Sequence, residues 1–328
     1  MKIPVLILFG PTASGKTALL ERLFGSPGAP RAEIISADSM QVYRGMDIGT
    51  AKPSPQERAR LPHHLIDIRD PDEQFNAGDF VRLAEEACLA AAGRGALPVV
   101  SGGTGFYLKN LVQGLSEAPP SDRAIRSGLK EDFIRRGAAA LMEELAKADP
   151  VSAGRIHIND EYRLLRALEV YRLTGRPLSS YASKKVPGTF CFRLIGLRRS
   201  REELYRRINA RTAEMFRAGL VDEVKRLYDA GYTPADPGLR AIGYREFFVE
   251  GTAGSEGDDG SWRLSEDLAG VEALAAQNSR RYAKRQVTFF ASIPGVKWID
   301  CGDEEEAVRE LRQILDEFTT NHHGCPIS

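Results

Sequence analysis

Apolar residues along this chain fall into two patterns. Near the N terminus they form short unbroken runs. Val5 to Phe9 is one, Glu33 to Ser36 carries two buried-type isoleucines, and Leu65 to Ile68 and Leu97 to Ser101 follow. Between the runs they are spaced, as in Gly78 to Arg94, where Phe80, Leu83, Ala84, Ala87 and Ala91 share one helical face and Gly95 ends the segment. Short runs predict buried strands, and the 3–4 spacing predicts amphipathic helices. Their alternation predicts βαβ units, hence an α/β fold with a mostly parallel sheet.

The pattern changes at Pro119. Ser121 to Ala148 and Asp160 to Leu173 are helical, charged and rich in arginine, with no strand signal between them. This predicts an all-helical insertion over 119–188, between a first core segment, 1–118, and a second, 189–319. The sheet resumes at Phe190 to Leu197, and a helix over Arg201 to Tyr228 is broken at Gly219. Gly251 to Ser261 is acidic, low in complexity and expected to be an exposed loop. A long helix from Leu264 to Phe290, a short strand at Lys297 to Ile299 and a helix from Asp303 to Phe318 complete the core, and 320–328 is an expected disordered tail.

The chain has 328 residues, enough for two domains or one with an insertion. Lysine plus arginine, 45, equals aspartate plus glutamate, 45, which excludes a uniformly basic nucleic-acid coat but not a segregated basic face. No run approaches the roughly 20 apolar residues of a membrane span. Met1 to Phe9 leads directly into a glycine loop and reads as a strand rather than a signal peptide. Cys88, Cys191, Cys301 and Cys325 show no metal spacing, consistent with a reducing, cytoplasmic setting. The adjacent His63 and His64 lack further ligands in sequence and read as structural. A monomer with no membrane association and no obligate protein partner is expected.

The strongest local signal is Gly10-Pro11-Thr12-Ala13-Ser14-Gly15-Lys16-Thr17, which fits G-x-x-x-x-G-K-[ST] after an apolar strand and before a helix. Such a loop turns backbone N–H groups around an anionic oxygen cluster, and the following helix adds partial positive charge. Lys16 supplies a point charge and Thr17 a hydroxyl for a magnesium ion. This marks a polyphosphate site without making the ligand ATP. The strand ending at Ser101 carries no magnesium-binding carboxylate, whereas Asp38 does end a strand. Ligands of parallel sheets lie beyond the carboxyl ends of the strands, which puts Asp38 and Thr104 at the same crevice as the loop. Asp38 then suits proton abstraction from a nucleophile, and Lys16 and Thr104 suit stabilising a departing diphosphate. An N-cap or an indirect magnesium role for Asp38 stands beside that reading, and a phosphate-loop small-molecule kinase with Asp38 as base stands beside group transfer.

Longer stretches carry a resemblance. Ser36 to Pro53 (SADSMQVYRGMDIGTAKP) closely resembles the signature of the tRNA dimethylallyltransferases, also called tRNA isopentenyltransferases. The phosphate loop, Pro62 to Asp67, Gly102 to Tyr107, His157 to Asp160 with Arg163 and Arg166 to Val170, Met215 to Leu220, Arg240 to Tyr244 and Arg281 to Gln286 match in family order. The resemblance implies a phosphate-loop NTPase-like core and transfer of a dimethylallyl group from dimethylallyl diphosphate to the N6 amine of the adenosine just 3′ of the anticodon. It implies Asp38 as general base, Thr104 touching adenosine and leaving group, Lys16 and Thr17 holding diphosphate and Mg2+, and Arg217 as a diphosphate-binding arginine. The acceptor base must leave the anticodon stack to react.

For RNA contact the resemblance points to Asp38, Ser39, Met40 and Gln41, to Thr104, and to Tyr162, Arg163, Leu164, Leu165 and Arg166, with Arg126 placed by its distance after Thr104. The partner implied is the tRNA anticodon stem-loop. Basic clusters agree with phosphate contact: Arg163, Arg166, Arg172 and Arg176; Arg198 to Arg211; and Arg280, Arg281, Lys284 and Arg285. Each cluster alone reads equally as a solvated helix face. The chain departs from the family pattern at Tyr162, where Gln is common, and at Val287-Thr288-Phe289, where Leu-Thr-Trp is common.

Overall fold

A computed structural model of the chain describes residues 2–181, 188–251 and 262–320. The expected acidic loop, from residue 252 to 261, and the expected tail, from 321 onward, lie outside the described residues. The chain divides into two compact units, Met1–Val112 with Pro187–Ser328, and Gln113–Val186.

In chain order the first unit contains β1 (Ile3–Phe9), α1 (Lys16–Phe24), β2 (Ala32–Ser36), α2 (Pro55–Arg60), β3 (His63–His64), α3 (Ala77–Gly93), β4 (Leu97–Gly102) and α4 (Gly105–Gln113). The second unit contributes α5 (Arg123–Ala148), α6 (Pro150–Ala153) and α7 (Glu161–Thr174). The first unit then resumes with β5 (Phe190–Arg198), α8 (Arg201–Arg217), α9 (Leu220–Asp229), β6 (Phe248–Glu250), β7 (Trp262–Leu264), α10 (Leu268–Phe290), β8 (Lys297–Asp300) and α11 (Glu304–Thr320).

Six strands form one sheet in the order β3-β2-β4-β1-β5-β8, every pairing parallel. β1 is central, and Val5 to Phe9 are fully buried, each worth about 1.5–3 kcal/mol of apolar burial. Alternate side chains serve opposite layers. Leu6 and Leu8 join a core with α1 and α11 through Leu19, Leu23, Leu311 and Ile314. On the opposite face the Phe9 ring lies 4.8 Å from Phe290 of α10. β1 leads to β2 on one side, past β4. β4 leads eventually to β5 on the other, past β1. The connections diverge above β1 and β4, which opens a crevice at their carboxyl ends.

Local signals set the helix boundaries. Ser54 with Glu57 and Asn76 with Asp79 form capping boxes at α2 and α3. Gly219 at φ +100° separates α8 from α9. The third strand is His63–His64 rather than 65–68, because Leu65 and Asp67 have positive φ and turn the chain away from the sheet. The long helix begins at Leu268, since Trp262–Leu264 pairs antiparallel with Phe248–Glu250. His64 Nε2 lies 2.7 Å from Glu33 Oε2, beside the bidentate Arg94, so its contact is structural.

In the second unit, α5 is kinked at Gly137, φ +79°. Leu129, Leu141 and Leu145 pack on Leu164, Leu165 and Leu168 of α7. Asp160 caps α7 through the Arg163 amide, and Gly175 closes it in the left-handed conformation.

Candidate active site

The phosphate loop runs from the end of β1 into α1. Ala13, φ 62°, and Gly15, φ 102°, give the left-handed turns that a concave anion cradle needs. The first-turn N–H groups of α1 are not used inside the helix and face the same concavity. Lys16 Nζ donates to the carbonyls of Gly10, 2.9 Å, and Pro11, 3.0 Å. Burial, with the Arg211 charge adding to it, lowers the Lys16 ammonium from the usual lysine range to about 8, against an opposing pull from Asp38. Two further arginines grip the outer side of the loop. Arg199 Nε donates to Ser14 O at 2.9 Å and Arg207 Nε to Ala13 O at 3.0 Å, and Glu304 accepts from both guanidinium groups.

Two chambers, each of about 320 Å³, share Thr12, Asp38, Thr50, Arg211 and Tyr282. One is lined by the phosphate loop from Thr12 to Thr17, with Arg207 and Gln286. The other has a more apolar wall, with Met40, Ile208, Met215, Leu220, Ile242 and Ala275 alongside Ser39, Arg240 and Arg285. Asp38 stands between the two. Its Oδ1 accepts from the amides of Met40, 2.9 Å, and Gln41, 3.4 Å. This turn fixes the carboxylate and directs both bonds to one oxygen.

Thr104 lines neither chamber. Its hydroxyl accepts from the Ser39 amide at 3.1 Å, and its own amide donates to Ala37 O, so it braces the Asp38 turn. The Tyr282 phenol borders both chambers, and burial together with the nearby Asp38 charge pushes it up to about 12. It is therefore neutral at neutral pH. Gln41 is tied to Ser36 Oγ and to the carbonyls of Thr50 and Ala51.

The loop between Val42 and Pro53 is held from below. Glu223 of α9 is buried and accepts from the amides of Asp47, Ile48 and Gly49 and from the Tyr244 hydroxyl. Lys52 Nζ is bonded to Tyr43 O, Asp47 and Asp67. Thr50 thereby reaches both chambers.

The structure brings Thr12 to Thr17, Asp38, Ser39, Met40 and Gln41 together, and Gly10 and Pro11 receive Lys16. It does not bring Arg217 to them. Arg217 is exposed, and its guanidinium pairs with Glu214 at 2.8 Å. Ile208, Arg211, Thr212 and Met215 form the α8 face that lines the second chamber. Arg217 is turned about 200° from Met215, so it points elsewhere. Arg211 supplies the cation at this place, and its guanidinium lies 3.5 Å from Thr12 Oγ1. The basic stretch Arg198 to Arg211 contained that residue, and a helical wheel would have singled it out.

Within the second unit, Leu164 and Leu165 are core residues and present no surface to RNA, which corrects the expectation for both. Glu169, fully buried, accepts from Arg126 NH1 at 3.2 Å, Arg166 NH1 at 2.9 Å, the Asp122 amide and the Ser121 hydroxyl. Burial alone would raise the Glu169 carboxyl, but the bonds from Ser121 and Arg166 outweigh it and hold it below the usual range. Arg166 also donates to Pro119 O. Tyr162 is 69% exposed, with the Arg126 guanidinium 4.6 Å from its ring centroid. Arg163 is exposed and pairs with Asp160 at 3.3 Å. Arg172, from the same basic cluster, is bound by Asp132 and Glu144.

No group of three or more histidine, cysteine or acidic side chains suited to a metal occurs among the described residues. No described helix is long and apolar enough to cross a membrane.

A family model described as IPP transferase matches residues 41–292. The chain is 44% identical over 303 residues to a tRNA dimethylallyltransferase of Geobacter sulfurreducens, covering 91% of this chain and 92% of that one. It is 43% identical over 314 residues to a tRNA dimethylallyltransferase of Geobacillus kaustophilus, covering 94% of each. Among solved structures it is similar to the full-length tRNA isopentenylpyrophosphate transferase of Bacillus halodurans, with TM-score 0.64, 36% identity, and coverage of 99% of this chain and 100% of that one. A eukaryotic dimethylallyltransferase acting on tRNA aligns with TM-score 0.75 and 26% identity, over 98% of this chain and 80% of that one.

Proposed function

The chain belongs to the IPP transferase family and is an enzyme that transfers a dimethylallyl group to tRNA, and from that premise we propose the acceptor atom and the roles of the residues. Dimethylallyl diphosphate is the donor, and the N6 amine of the adenosine just 3′ of the anticodon is the acceptor. The observation that carries this reading is Asp38, between the phosphate-loop chamber and its more apolar neighbour.

The adenine amine is a weak nucleophile because its lone pair is delocalised into the ring. As the new C–N bond forms and the C–O bond to diphosphate breaks, the amine becomes acidic. Asp38, held by the Met40 amide, takes that proton. Charge develops on the leaving diphosphate, where Lys16, Arg211 and the N terminus of α1 converge. Thr104 keeps the Asp38 turn in place, and Tyr282 forms part of the wall that both chambers share. The two chambers offer separate access for a small anionic donor and a flipped base.

Mg2+ is the metal we assign. Thr17, Ser36, Asp38 and Ser101 bring oxygen donors, the kind Mg2+ takes, to a small cavity beside Lys16 whose other wall is apolar, with Leu20, Ile34 and Leu61. With few carboxylates at hand, the ion would be held by the Thr17 hydroxyl, the diphosphate and water. When bound, it neutralises part of the diphosphate charge. We further assign the exposed Tyr162 and Arg163, with Arg126 and Arg166, to tRNA contact by the second unit. The cytoplasm, where its tRNA substrate resides, is the assigned location.

Incubation with unmodified tRNA and either dimethylallyl diphosphate or ATP, followed by digestion and nucleoside mass analysis, tests the reading. The expected product is N6-isopentenyladenosine at the position 3′ of the anticodon. ATP turnover with no change in the nucleosides would overturn it in favour of a kinase.

A further inference from the structure

The phosphate loop and the Asp38 turn belong to different parts of the sheet, and something must set the distance between them. The Asp38 side of the site is already one block. Thr104 N donates to Ala37 O at 3.1 Å, Ala37 N to Ser101 O at 2.8 Å, and Ser39 N to Thr104 Oγ1 at 3.1 Å. These bonds tie the segment after β2 to the segment after β4. The phosphate loop leaves β1 at the point where the connections diverge.

One side chain of α10 closes that gap. Gln286 is 5% exposed, and both ends of its amide are used. Oε1 accepts from Thr12 N at 2.8 Å, in the phosphate loop, and Nε2 donates to Gly103 O at 2.8 Å, in the segment after β4. The donor at one end and the acceptor at the other fix the amide's orientation. The close fit also explains Gly103, because a Cβ there would lie 2.6 Å from Nε2. Glutamate would set a carboxylate oxygen against the Gly103 carbonyl, and asparagine is one methylene too short to span both loops.

We propose that Gln286 is a positioning residue that couples the phosphate loop to the Thr104–Asp38 block, so that filling the loop with a diphosphate sets the Asp38 carboxylate at its working distance from the donor carbon. The assignment to catalysis rests on the prenyl-transfer reading above; the coupling itself does not. Gln286 borders the phosphate-loop chamber, but both ends of its amide are taken by the two loops it joins, and it acts through them.

Hydrogen exchange read by mass spectrometry, with inorganic pyrophosphate plus Mg2+ as the probe, isolates the coupling. In the wild type, pyrophosphate is expected to slow exchange in peptides covering the phosphate loop and also in those covering 102–107. In Gln286→Met, which keeps the volume and loses the amide, protection of the phosphate loop is expected to persist and protection of 102–107 to fall by more than half. Equal protection of 102–107 in both proteins would overturn the proposal. Single-turnover prenylation provides the second arm. Gln286→Met is expected to slow the chemical step about 10–100-fold, with donor and tRNA affinities, each measured alone, within threefold of wild type. A loss confined to donor affinity would overturn it and reduce Gln286 to a part of the cradle. Gln286→Glu adds a test of rescue: its protonated carboxyl can both donate to Gly103 O and accept from Thr12 N, so its rate relative to wild type should recover as pH falls. A flat ratio would overturn the proposal. If the wild type transferred no prenyl group, the prenyl-transfer reading would fall while the exchange arm still judged the coupling.

Discussion

In the phosphate-loop site the cations lean on main-chain oxygens. Lys16 donates to Gly10 and Pro11, Arg199 to Ser14 and Arg207 to Ala13. In the α5–α7 unit the arginines lean on acidic side chains instead: Arg126 and Arg166 on the buried Glu169, Arg172 on Asp132 and Glu144. The difference shows what each set does for the protein. Lys16, bonded only to carbonyls, keeps its charge beside a loop shaped for an anion, while Arg199 and Arg207 share the single carboxylate of Glu304 and leave a net positive charge there. Arginines spent on a buried carboxylate are first a condition for folding, since that carboxylate would be costly without them. The charge facing outward on Arg163 is open to RNA, and Arg126 and Arg166 together can offer only what the single Glu169 carboxylate does not neutralise.

The largest expected effect bears on the first region. Asp38→Asn keeps Oδ1 as acceptor for the Met40 amide, so the turn survives, while the basic carboxylate is lost. The single-turnover rate with saturating donor and tRNA is expected to drop by about 10²–10⁴, with both affinities little changed. Near-wild-type chemistry would remove Asp38 as base and return it to a purely local turn.

The matching break in the second region is Glu169→Ala. It leaves Arg126, Arg166 and Ser121 without their common acceptor, and a cost of about 3–5 kcal/mol is expected for breaking such a buried pair. Thermal melting checks this, with limited proteolysis reporting whether the loss falls on residues 113–186. If the variant melted like wild type, the two regions would not differ as described.

How far the site was legible depends on whether its parts are contiguous. The phosphate loop is, so its glycines and lysine announced themselves in eight residues. Arg211 and Arg217 are close in sequence, yet only the helical phase separates the one facing Thr12 from the one facing solvent. Leu164 and Leu165 lie inside a stretch assigned to RNA, but the same helix must bury one face, and their apolar side chains take it. Leu65 to Ile68 has the composition of a strand, and two positive φ values override it. Gln286 ends the matched stretch Arg281 to Gln286, but its bond was hidden, because its partner Thr12 is 274 positions away and no local pattern reports such a contact.

The helical phase yields a sharper contrast within one element. Arg211→Ala is expected to weaken donor binding about 10–100-fold, the range for losing charge-assisted bonds. Arg217→Ala, at an exposed ion pair, should stay within about 0.5 kcal/mol of wild type. Donor titration of the two variants distinguishes them, and equal losses would make the α8 face irrelevant to the site.

Lysine 16 adds a pH dependence that the carboxylate-bound arginines lack. Its ammonium is lowered from 10.5 to about 8 in the folded chain. Between those values the unfolded chain binds more protons, so the stability of the ligand-free protein gains from this group as pH rises from about 8 to 10.5. Donor affinity should move the other way. The charged form binds diphosphate, so affinity falls above pH of about 8, by at most about tenfold per pH unit. Calorimetric titration with inorganic pyrophosphate measures it, and Lys16→Arg should abolish the inflection. An inflection that persists in that variant would assign it to the ligand or another group.

The smallest expected effect falls on Arg163, and it decides whether the α5–α7 unit has any charge to spare. Its side chain is 71% exposed, and its ion-pair partner, Asp160, lies at 3.3 Å on the same helix end. An exposed pair of this kind contributes less than about 1 kcal/mol, so Arg163→Ala should leave the melting temperature close to wild type. If Arg163 meets a phosphate of tRNA, its loss should weaken binding a few-fold and reduce the slope of log affinity against log salt by about 0.7–0.9. Arg166→Ala makes the comparison, because it removes a bond to the buried Glu169 as well. That variant should lose stability together with affinity, whereas Arg163→Ala should lose affinity alone. A salt slope unchanged in Arg163→Ala would mean that even the outward-facing charge of this unit is a solvated helix face, and the RNA contact would have to come from another cluster.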